Sequence, residues 1–393
     1  MLGKRLKQLR LARGLSLDEL VAQSGGIVSK QAISKYEQGK SQPSPRVLTK
    51  LASALGTKVA QLVSESVVEV ELIAYRKASG LRKKEQNRVE NLVRQTLEER
   101  IRLQELIAQN NGSDIPIQEL RIKSLEDAED AAGELRKKWN LGRDPIANVM
   151  SVLEDHRIHI LEIQASEKFD GISAVAYLGT KKIAAAAVVI RHMDTGERQR
   201  LNLTHELGHL VLKIDKKIDE EKAAFRFGAA FLAPKEFVFH EVGAHRSVIT
   251  ITELLLLKER LGMSIQALLY RLRDLQVIND LHYSQWCKEI NRRAWRKKEP
   301  NPLQPEKPEW LRQNVLRAFV EGILNHEEAE TMLGEKIEDQ MPLSLVKRKN
   351  FMKLPLEERR RLMVEQAEKL ASHYKDDTEW KDLGAGDFSE HKP

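Results

Sequence analysis

The segment LNLTHELGHLVLKIDKKIDEEKAAFRFGAAFLAP, residues 201–234, contains the sequence HELGH at positions 205–209. If this sequence is helical, His205 and His209 lie one turn apart on the same face. Two imidazoles in that arrangement can bind one zinc ion, and Glu206 on the neighbouring face can accept a proton from a zinc-bound water. The segment therefore predicts a catalytic zinc site. The alternative is a chance match on an ordinary core helix.

A catalytic zinc site needs a third protein ligand and an open fourth position. Glu220 and Glu221 begin a second predicted helix, which ends at Pro234 and whose small residues allow close packing against the first. Glu221 is the preferred ligand and Glu220 the alternative. A histidine-only site would place its third histidine six residues after His209, where this chain has Asp215, so a carboxylate ligand is favoured.

The segments RQRLNLTHELGHLVL and EKAAFRFGAAFLAP resemble the ImmA/IrrE metallopeptidases. The resemblance places Glu221 on the zinc glutamate of that family. It departs from the family pattern at Phe225, where Asn or Asp is usual, at Gly228, where Ala is usual, and at Ala233, where Met is usual. The resemblance implies a zinc endopeptidase that cleaves a partner regulatory protein, a repressor or an antitoxin, in a stress, phage-defence or mobile-element response.

Composition limits the class of protein. The 393 residues can form two or three domains, and a single cysteine, Cys287, excludes an internal disulfide framework and fits a reducing cytoplasm. No run approaches the ~20 apolar residues that span a bilayer, so we expect a cytoplasmic protein without a membrane partner. Residues 1–50 contain ten basic and three acidic side chains and so account for the whole net charge of +7. A nucleic-acid partner would bind there.

Residues 1–63 predict a helix-turn-helix domain that binds double-stranded DNA. Ser16 and Glu19 form a capping box, and Ser29 caps the helix KQAISKYEQG. That helix would turn polar side chains toward the major groove and basic ones toward phosphates; the candidate DNA-binding residues are Lys30, Gln31, Ser34, Lys35 and Lys40. The domain resembles XRE (Cro/cI-type) repressors, although the turn SGGIVSK is about two residues longer than usual. The alternative is a small helical protein-binding module.

The rest of the chain predicts a mainly α fold with a small β-sheet, an α+β protein. We expect a helical linker at 64–115, a zincin-like metallopeptidase domain at 116–245 and a helical C-terminal region at 246–340. The peptidase domain would contain strands in HRIHILEI, SAVAYLG and KKIAAAAVVIR. The proline-rich sequence EPNPLQPEKPEW reads as a linker. Two helices within 248–280 are joined by a turn typical of a helix-turn-helix, but packing against the peptidase is the favoured interpretation.

Other polar residues are weaker candidates. His156, His159 and His192 lack metal-ligand spacing and are expected in strand edges or polar contacts rather than at a metal. Arg198 and Arg200, just before the zinc helix, are expected to have a structural role, with binding of a substrate carboxylate as the alternative.

Residues 341–393 resemble the toxin-binding tails of some small bacterial antitoxins; the alternative is a solvated terminal helix. This tail supports a second functional hypothesis. In it the chain is a DNA-binding antitoxin or repressor that neutralises a toxin by binding, and the zinc site is structural or inactive. In either case DNA-binding domains of this type favour a homodimer on paired half-sites.

Overall fold

The computed structural model describes residues 2–63, 68–75, 83–107, 115–163, 169, 171–178, 182–192, 195–296, 298–337, 351–352 and 354–376. They belong to two compact units, residues 1–333 and residues 334–393. Helices dominate, with a four-stranded sheet and a two-stranded sheet, so the predicted α+β class is confirmed. The predicted domain boundaries inside the first unit stay predictions.

The N-terminal region is a bundle of five short helices. They are α1 (Leu2–Ala12), α2 (Leu17–Gln23), α3 (Lys30–Glu37), α4 (Pro45–Ala54) and α5 (Val59–Val63). The capping box of Ser16 and Glu19 is present, and the Ser29 side chain accepts a hydrogen bond from the main-chain nitrogen of Ala32. Their common core contains eight buried side chains: Leu6, Leu9, Leu20, Ile33, Leu51, Ala52, Leu55 and Leu62.

The larger sheet has the strand order β1-β4-β5-β3. Three strands occupy the predicted segments: β3 (Ile158–Ile163), β4 (Gly171–Leu178) and β5 (Lys182–Arg191). Strands β3 and β5 are parallel, and β4 runs antiparallel to β5. The fourth strand, β1 (Val68–Tyr75), pairs antiparallel with β4.

Strand β1 corrects the prediction of an all-helical linker at 64–115. Its sequence VEVELIAY alternates glutamate and apolar residues at first, as a half-buried strand does. The helical part of the prediction corresponds to α6 (Lys83–Leu106), whose Val89, Val93, Leu97 and Ile101 pack on one face of the sheet. The predicted linker therefore contributes a strand and a packed helix to the fold. Helix α6 also contacts α1, where Arg5 forms an ion pair with Glu98 of α6.

The other face of the sheet carries the helices of the predicted peptidase region. They are α7 (Asp127–Lys138), α8 (Val149–Asp155), α9 (Gly196–Val211), α10 (Glu220–Leu232) and α11 (Lys235–Val242). A small parallel sheet of β2 (Leu120–Ile122) and β6 (Leu212–Ile214) lies beside them. These elements share one hydrophobic core with the inner face of the larger sheet.

Five further helices complete the first unit: α12 (Ile251–Leu261), α13 (Ile265–Asp274), α14 (Asp280–Arg292), α15 (Trp310–Val320) and α16 (His326–Leu333). The pair α12 and α13 buries its apolar side chains in the common core, and the buried Arg271 forms an ion pair with Glu129 of α7 at 2.5 Å. This placement supports packing against the peptidase region. In the second unit, α17 (Leu356–Asp376) occupies part of the predicted tail; residues 341–350, 353 and 377–393 lie outside the described residues.

The proline-rich segment is not a linker, contrary to the sequence interpretation. Residues 299–309, here named the strap, lie against the start of α9. The main-chain nitrogen of Gly196 donates to the carbonyl of Leu303 at 2.8 Å, and the buried Arg200 guanidinium bonds to the Glu306 carboxylate at 2.5 Å. The main-chain nitrogens of Leu303 and Glu306, which lie between the prolines, donate to the side chains of Glu197 and Gln199 of α9.

Among the described residues, no helix combines the length and apolarity needed to cross a membrane.

Candidate metal centre

Three predicted ligand residues converge in the structure. His205 and His209 project from α9 with their Nε2 atoms 3.1 Å apart. The His205 side chain is 5% exposed and the His209 side chain 2% exposed. Glu221 of α10 places one carboxylate oxygen 3.5 Å from His205 Nε2 and the other 3.6 Å from His209 Nε2. Ligands of a tetrahedral zinc ion stand roughly 3.3 Å apart, so these donors suit a single ion. Among the described residues, His205, His209 and Glu221 are the group of His, Cys, Asp or Glu side chains whose ligand atoms lie close enough together to hold a metal ion.

Glu220, the alternative ligand, lies differently. Its Oε1 is 3.3 Å from Nδ1 of His209, the ring nitrogen turned away from the other histidine, and its side chain is 62% exposed. A carboxylate at this position orients the imidazole and favours the tautomer whose Nε2 is free for a metal. The geometry therefore brings Glu221, rather than Glu220, to the two Nε2 atoms.

Close packing of α9 on α10 brings the ligands together. A Cβ atom on Gly228 would lie 2.9 Å from the main-chain nitrogen of His205, and one on Gly208 would lie 3.1 Å from Cα of Ala224. Both distances are shorter than the 3.4–4 Å of ordinary van der Waals contact. Each glycine therefore permits a close approach of the two helices that a larger residue would prevent. The N-cap Asp219, whose side chain accepts from the main-chain nitrogen of Lys222, fixes the start of α10 beside Glu221.

Glu206 lies on the sheet side of α9 and is 3% exposed. Its Oε2 is 2.7 Å from the hydroxyl of Ser173 on β4, which can donate to it. A Cβ atom on Gly171 would clash with the Glu206 carboxylate, so the glycine leaves room for it. Sequence reasoning missed both contacts; the signal available was one glycine and one serine in the otherwise apolar strand GISAVAYL.

Phe225 forms an apolar wall at the opening of the centre. Its ring centroid is 4.1 Å from that of His205, and the residue is 43% exposed. A partly exposed aromatic ring beside the ligands gives the centre one apolar side.

The three other histidines lie apart from the metal group. His156 stacks on Trp139 with ring centroids 4.0 Å apart, and His192 is 3.4 Å from a carboxylate oxygen of Glu162. His159 is completely buried beneath Trp310, and burial, followed by the nearby charges of two arginines, holds its pKa well below the ordinary value. All three therefore lie outside the group of His205, His209 and Glu221, and their exclusion as ligands stays a prediction.

Arg198 and Arg200 were expected just before the zinc helix, but both lie in the first turns of α9, and their surroundings differ. Arg200 is buried and donates to the carbonyls of Ile146 and Ala147 in addition to Glu306, which assigns it the structural role. Arg198 is exposed on α9.

The candidate DNA-binding residues lie on or near α3. Gln31, Lys35 and Lys40 are exposed, and Ser34 is half-buried, with its hydroxyl accepting from the Gln38 amide at 3.1 Å. Lys30 is exposed but bonds to the carboxylate of Asp18 at 2.6 Å. The inward side of the helix is Ile33, so the polar residues face away from the bundle core.

Two family models match the chain. Residues 6–62 match the model described as Helix-turn-helix. Residues 154–273, which contain the three candidate ligands and Glu206, match the IrrE N-terminal-like domain. The protein joins a helix-turn-helix domain to an IrrE N-terminal-like domain. Strands β3 to β5 and helices α9 and α10 all lie within the IrrE N-terminal-like domain.

One curated relative is the SPbeta prophage-derived uncharacterized HTH-type transcriptional regulator YonR of Bacillus subtilis (strain 168). The two chains are 33% identical over 72 residues, which are 18% of this chain and 65% of the relative. This chain therefore spans somewhat less than two thirds of that relative. No solved structure matches the chain significantly.

Proposed function

We propose that the protein is a DNA-binding transcriptional regulator and a zinc-dependent endopeptidase that cleaves a partner regulatory protein, of the repressor or antitoxin type. The observation that carries the proposal is the convergence of His205, His209 and Glu221, with Glu206 buried beside them. Three ligands and an adjacent carboxylate are the donor set of hydrolytic zinc sites. The biological setting we propose is a stress, phage-defence or mobile-element response, and the prophage origin of the relative supports it.

His205, His209 and Glu221 would hold zinc, which supplies polarisation of the scissile carbonyl and a lowered pKa of the attacking water. Glu206 takes the proton from that water and returns it to the leaving amine. Ser173 holds one Glu206 oxygen, Oε2, through the 2.7 Å hydrogen bond, and the other oxygen, Oε1, lies over Gly171 of β4, so both contacts orient the carboxylate. Phe225 gives the opening an apolar side against which a substrate side chain packs.

The helix-turn-helix domain would supply DNA binding. In this proposal Gln31 and Ser34 contact base edges, while Lys30, Lys35 and Lys40 contact phosphates. Two copies on adjacent half-sites would make the active species a homodimer.

Cleavage is tested with the proteins encoded beside the gene. Each is co-expressed with the wild type, with Glu206→Gln and with Glu236→Gln, a control at an exposed glutamate of α11. Intact-mass spectrometry should show a partner cut by the wild type and by the control and left whole by Glu206→Gln. Zinc content should be equal in all three proteins, since Glu206 is not a ligand.

Cleavage of a partner by Glu206→Gln would refute the peptidase assignment. Intact partners that co-purify with all three proteins would instead support the antitoxin function. The exposed Leu356, Met363 and Val364 of α17 are the apolar residues that this function would use, and deleting residues 341–393 would then abolish co-purification.

A further inference from the structure

Strand β1 occupies the sheet edge next to the metal centre. It comes from the segment that directly follows the helix-turn-helix domain, and it pairs antiparallel with β4. In this register Ala74 lies opposite Ser173 and Tyr75 lies opposite Ile172. The C-terminal end of β1 is therefore beside the part of β4 that holds Glu206, and β1 also contacts α9.

The pairing of β1 is irregular at the same place. The register shifts between Leu72 and Ala74, so Ile73 is an extra residue in the strand, a β-bulge. Ile73 packs against the core that includes α9, whereas Val70 packs on the α6 side of the sheet. Bulges redirect side chains and are frequent beside active sites. Here the bulge turns Ile73 toward the helix that carries the metal ligands.

A peptide to be hydrolysed must place an extended backbone next to Glu206. Both β4 residues that contact Glu206, Gly171 and Ser173, lie toward the first half of the strand. The main-chain N–H and C=O groups along a strand edge are a template on which an extended peptide adds as a further strand. The outer edge of β4 is thus the edge best placed to present a peptide to this centre, and in this chain β1 covers it.

We propose that the outer edge of β4 is the peptide-docking surface of the metal centre and that β1 is its internal occupant. A substrate peptide then pairs with β4 only after β1 has left. That the docked peptide is a substrate rests on the proposed function. The competition between β1 and a peptide for one edge does not require cleavage.

Contacts from α6 keep β1 in place. Arg94 donates from its Nη1 to the carbonyl of Val70 at 2.8 Å, and Val70 itself is 7% exposed. Arg94 and Glu98 are one turn apart on α6, and Glu98 contacts Arg5 and Gln8 of α1. Neighbouring positions of one helix therefore hold both β1 and the helix-turn-helix domain. Loosening Arg94 is the mildest way to release the strand.

The test measures binding of a fluorescein-labelled peptide VEVELIAY, the sequence of β1, by fluorescence anisotropy. All proteins are full-length and carry Glu206→Gln, so the peptide is not consumed. One variant also replaces residues 69–74 by glycine and serine, one carries Arg94→Ala, and one carries Arg102→Ala, a control at an exposed arginine of the same helix. A peptide of scrambled sequence reports non-specific binding.

We expect the variant with the replaced strand to bind the peptide at least about ten-fold more tightly than the parent, because an edge occupied most of the time lowers the apparent affinity by the fraction that is free. Arg94→Ala should fall between them, and Arg102→Ala should match the parent. The proposal would be overturned if the parent and the variant with the replaced strand, here called the opened variant, bound the peptide equally. It would also be overturned if an opened variant that unfolds cooperatively did not bind the peptide. If the opened variant does not fold, equal binding by Arg94→Ala and Arg102→Ala overturns it. Failure of partner cleavage alone would leave these affinities unchanged.

Discussion

Replacing Gly228 by alanine tests whether the closeness of α9 and α10 builds the metal centre. The added methyl group would lie 2.9 Å from the main-chain nitrogen of His205 and 3.0 Å from the carbonyl carbon of Thr204. Both are main-chain atoms of a buried helix, so the contact is relieved by moving the helices apart rather than by rotating a side chain. Glu221 lies two turns before Gly228 on α10, and the movement would carry it away from His209.

Two opposing terms set the size of the effect. Overpacking of a well-filled interior costs about 1–3 kcal/mol. Alanine in place of glycine inside a helix contributes about 1 kcal/mol in the opposite direction. The free energy of unfolding of the metal-free protein should therefore fall by about 0–2 kcal/mol, the difference of these terms. Zinc affinity should fall about 10–100-fold, the loss seen when a group that positions a ligand is disturbed.

The matched control is Gly133→Ala. Gly133 is exposed in the middle of α7, and nothing lies within 4 Å of the position that its Cβ would take. The same substitution should there raise the free energy of unfolding by about 1 kcal/mol. Urea unfolding after chelation measures stability, and competition with a chromophoric chelator measures zinc affinity. If Gly228→Ala is as stable as Gly133→Ala and binds zinc as the wild type does, close helix packing does not build the site.

Two further predictions concern pH and DNA. The folded chain keeps His159 neutral, because burial holds its pKa well below 6.5, whereas the unfolded chain binds a proton there. The free energy of unfolding is therefore unaffected by His159 above pH 6.5 and falls below that pH by at most about 1.4 kcal/mol per pH unit. His159→Leu should reduce the difference between the free energies of unfolding measured with urea at pH 7.5 and at pH 5.5. The same difference in the variant as in the wild type would contradict this. Lys35→Ala with Lys40→Ala should weaken DNA binding and reduce the slope of log affinity against log salt by about one per lost phosphate contact, measured by anisotropy. The exposed Lys307→Ala should leave that slope unchanged, and an unchanged slope in the double variant would remove these lysines from the interface.

Local patterns made the central elements predictable. The four-residue spacing of the histidines, the acidic start of α10 and the capping box of Ser16 and Glu19 all act within a few residues, where helix geometry determines which side chains meet. For the same reason the helical bundle and the three strands β3 to β5 were expected. The metal ligands and Glu206 stay predictions until zinc and cleavage are measured.

What the sequence missed depends on distant partners. The partner of strand β1, β4, lies about 100 residues later, so the alternation in β1 alone competed poorly with the helix-forming residues that follow it. The strap has the composition of a linker, and its contacts with distant residues, such as the pairing of Glu306 with Arg200, distinguish it from one. The role of Gly171 and Ser173 could not be predicted from the sequence, because it depends on their contact with Glu206, more than 30 residues later.

The strap also bears on which fragment of the chain can stand alone. The segment that matches the IrrE N-terminal-like domain ends at residue 273, but buried charges inside it find their partners later in the chain. Lys258, 1% exposed, pairs with Glu299 at 3.0 Å as well as with Glu197, and Arg200 pairs with Glu306. A fragment cut at residue 273 would leave these cations short of a carboxylate in a water-poor interior, at a cost of several kcal/mol. The autonomous unit of this protein is therefore longer than the segment that matches the family model, and it includes the strap.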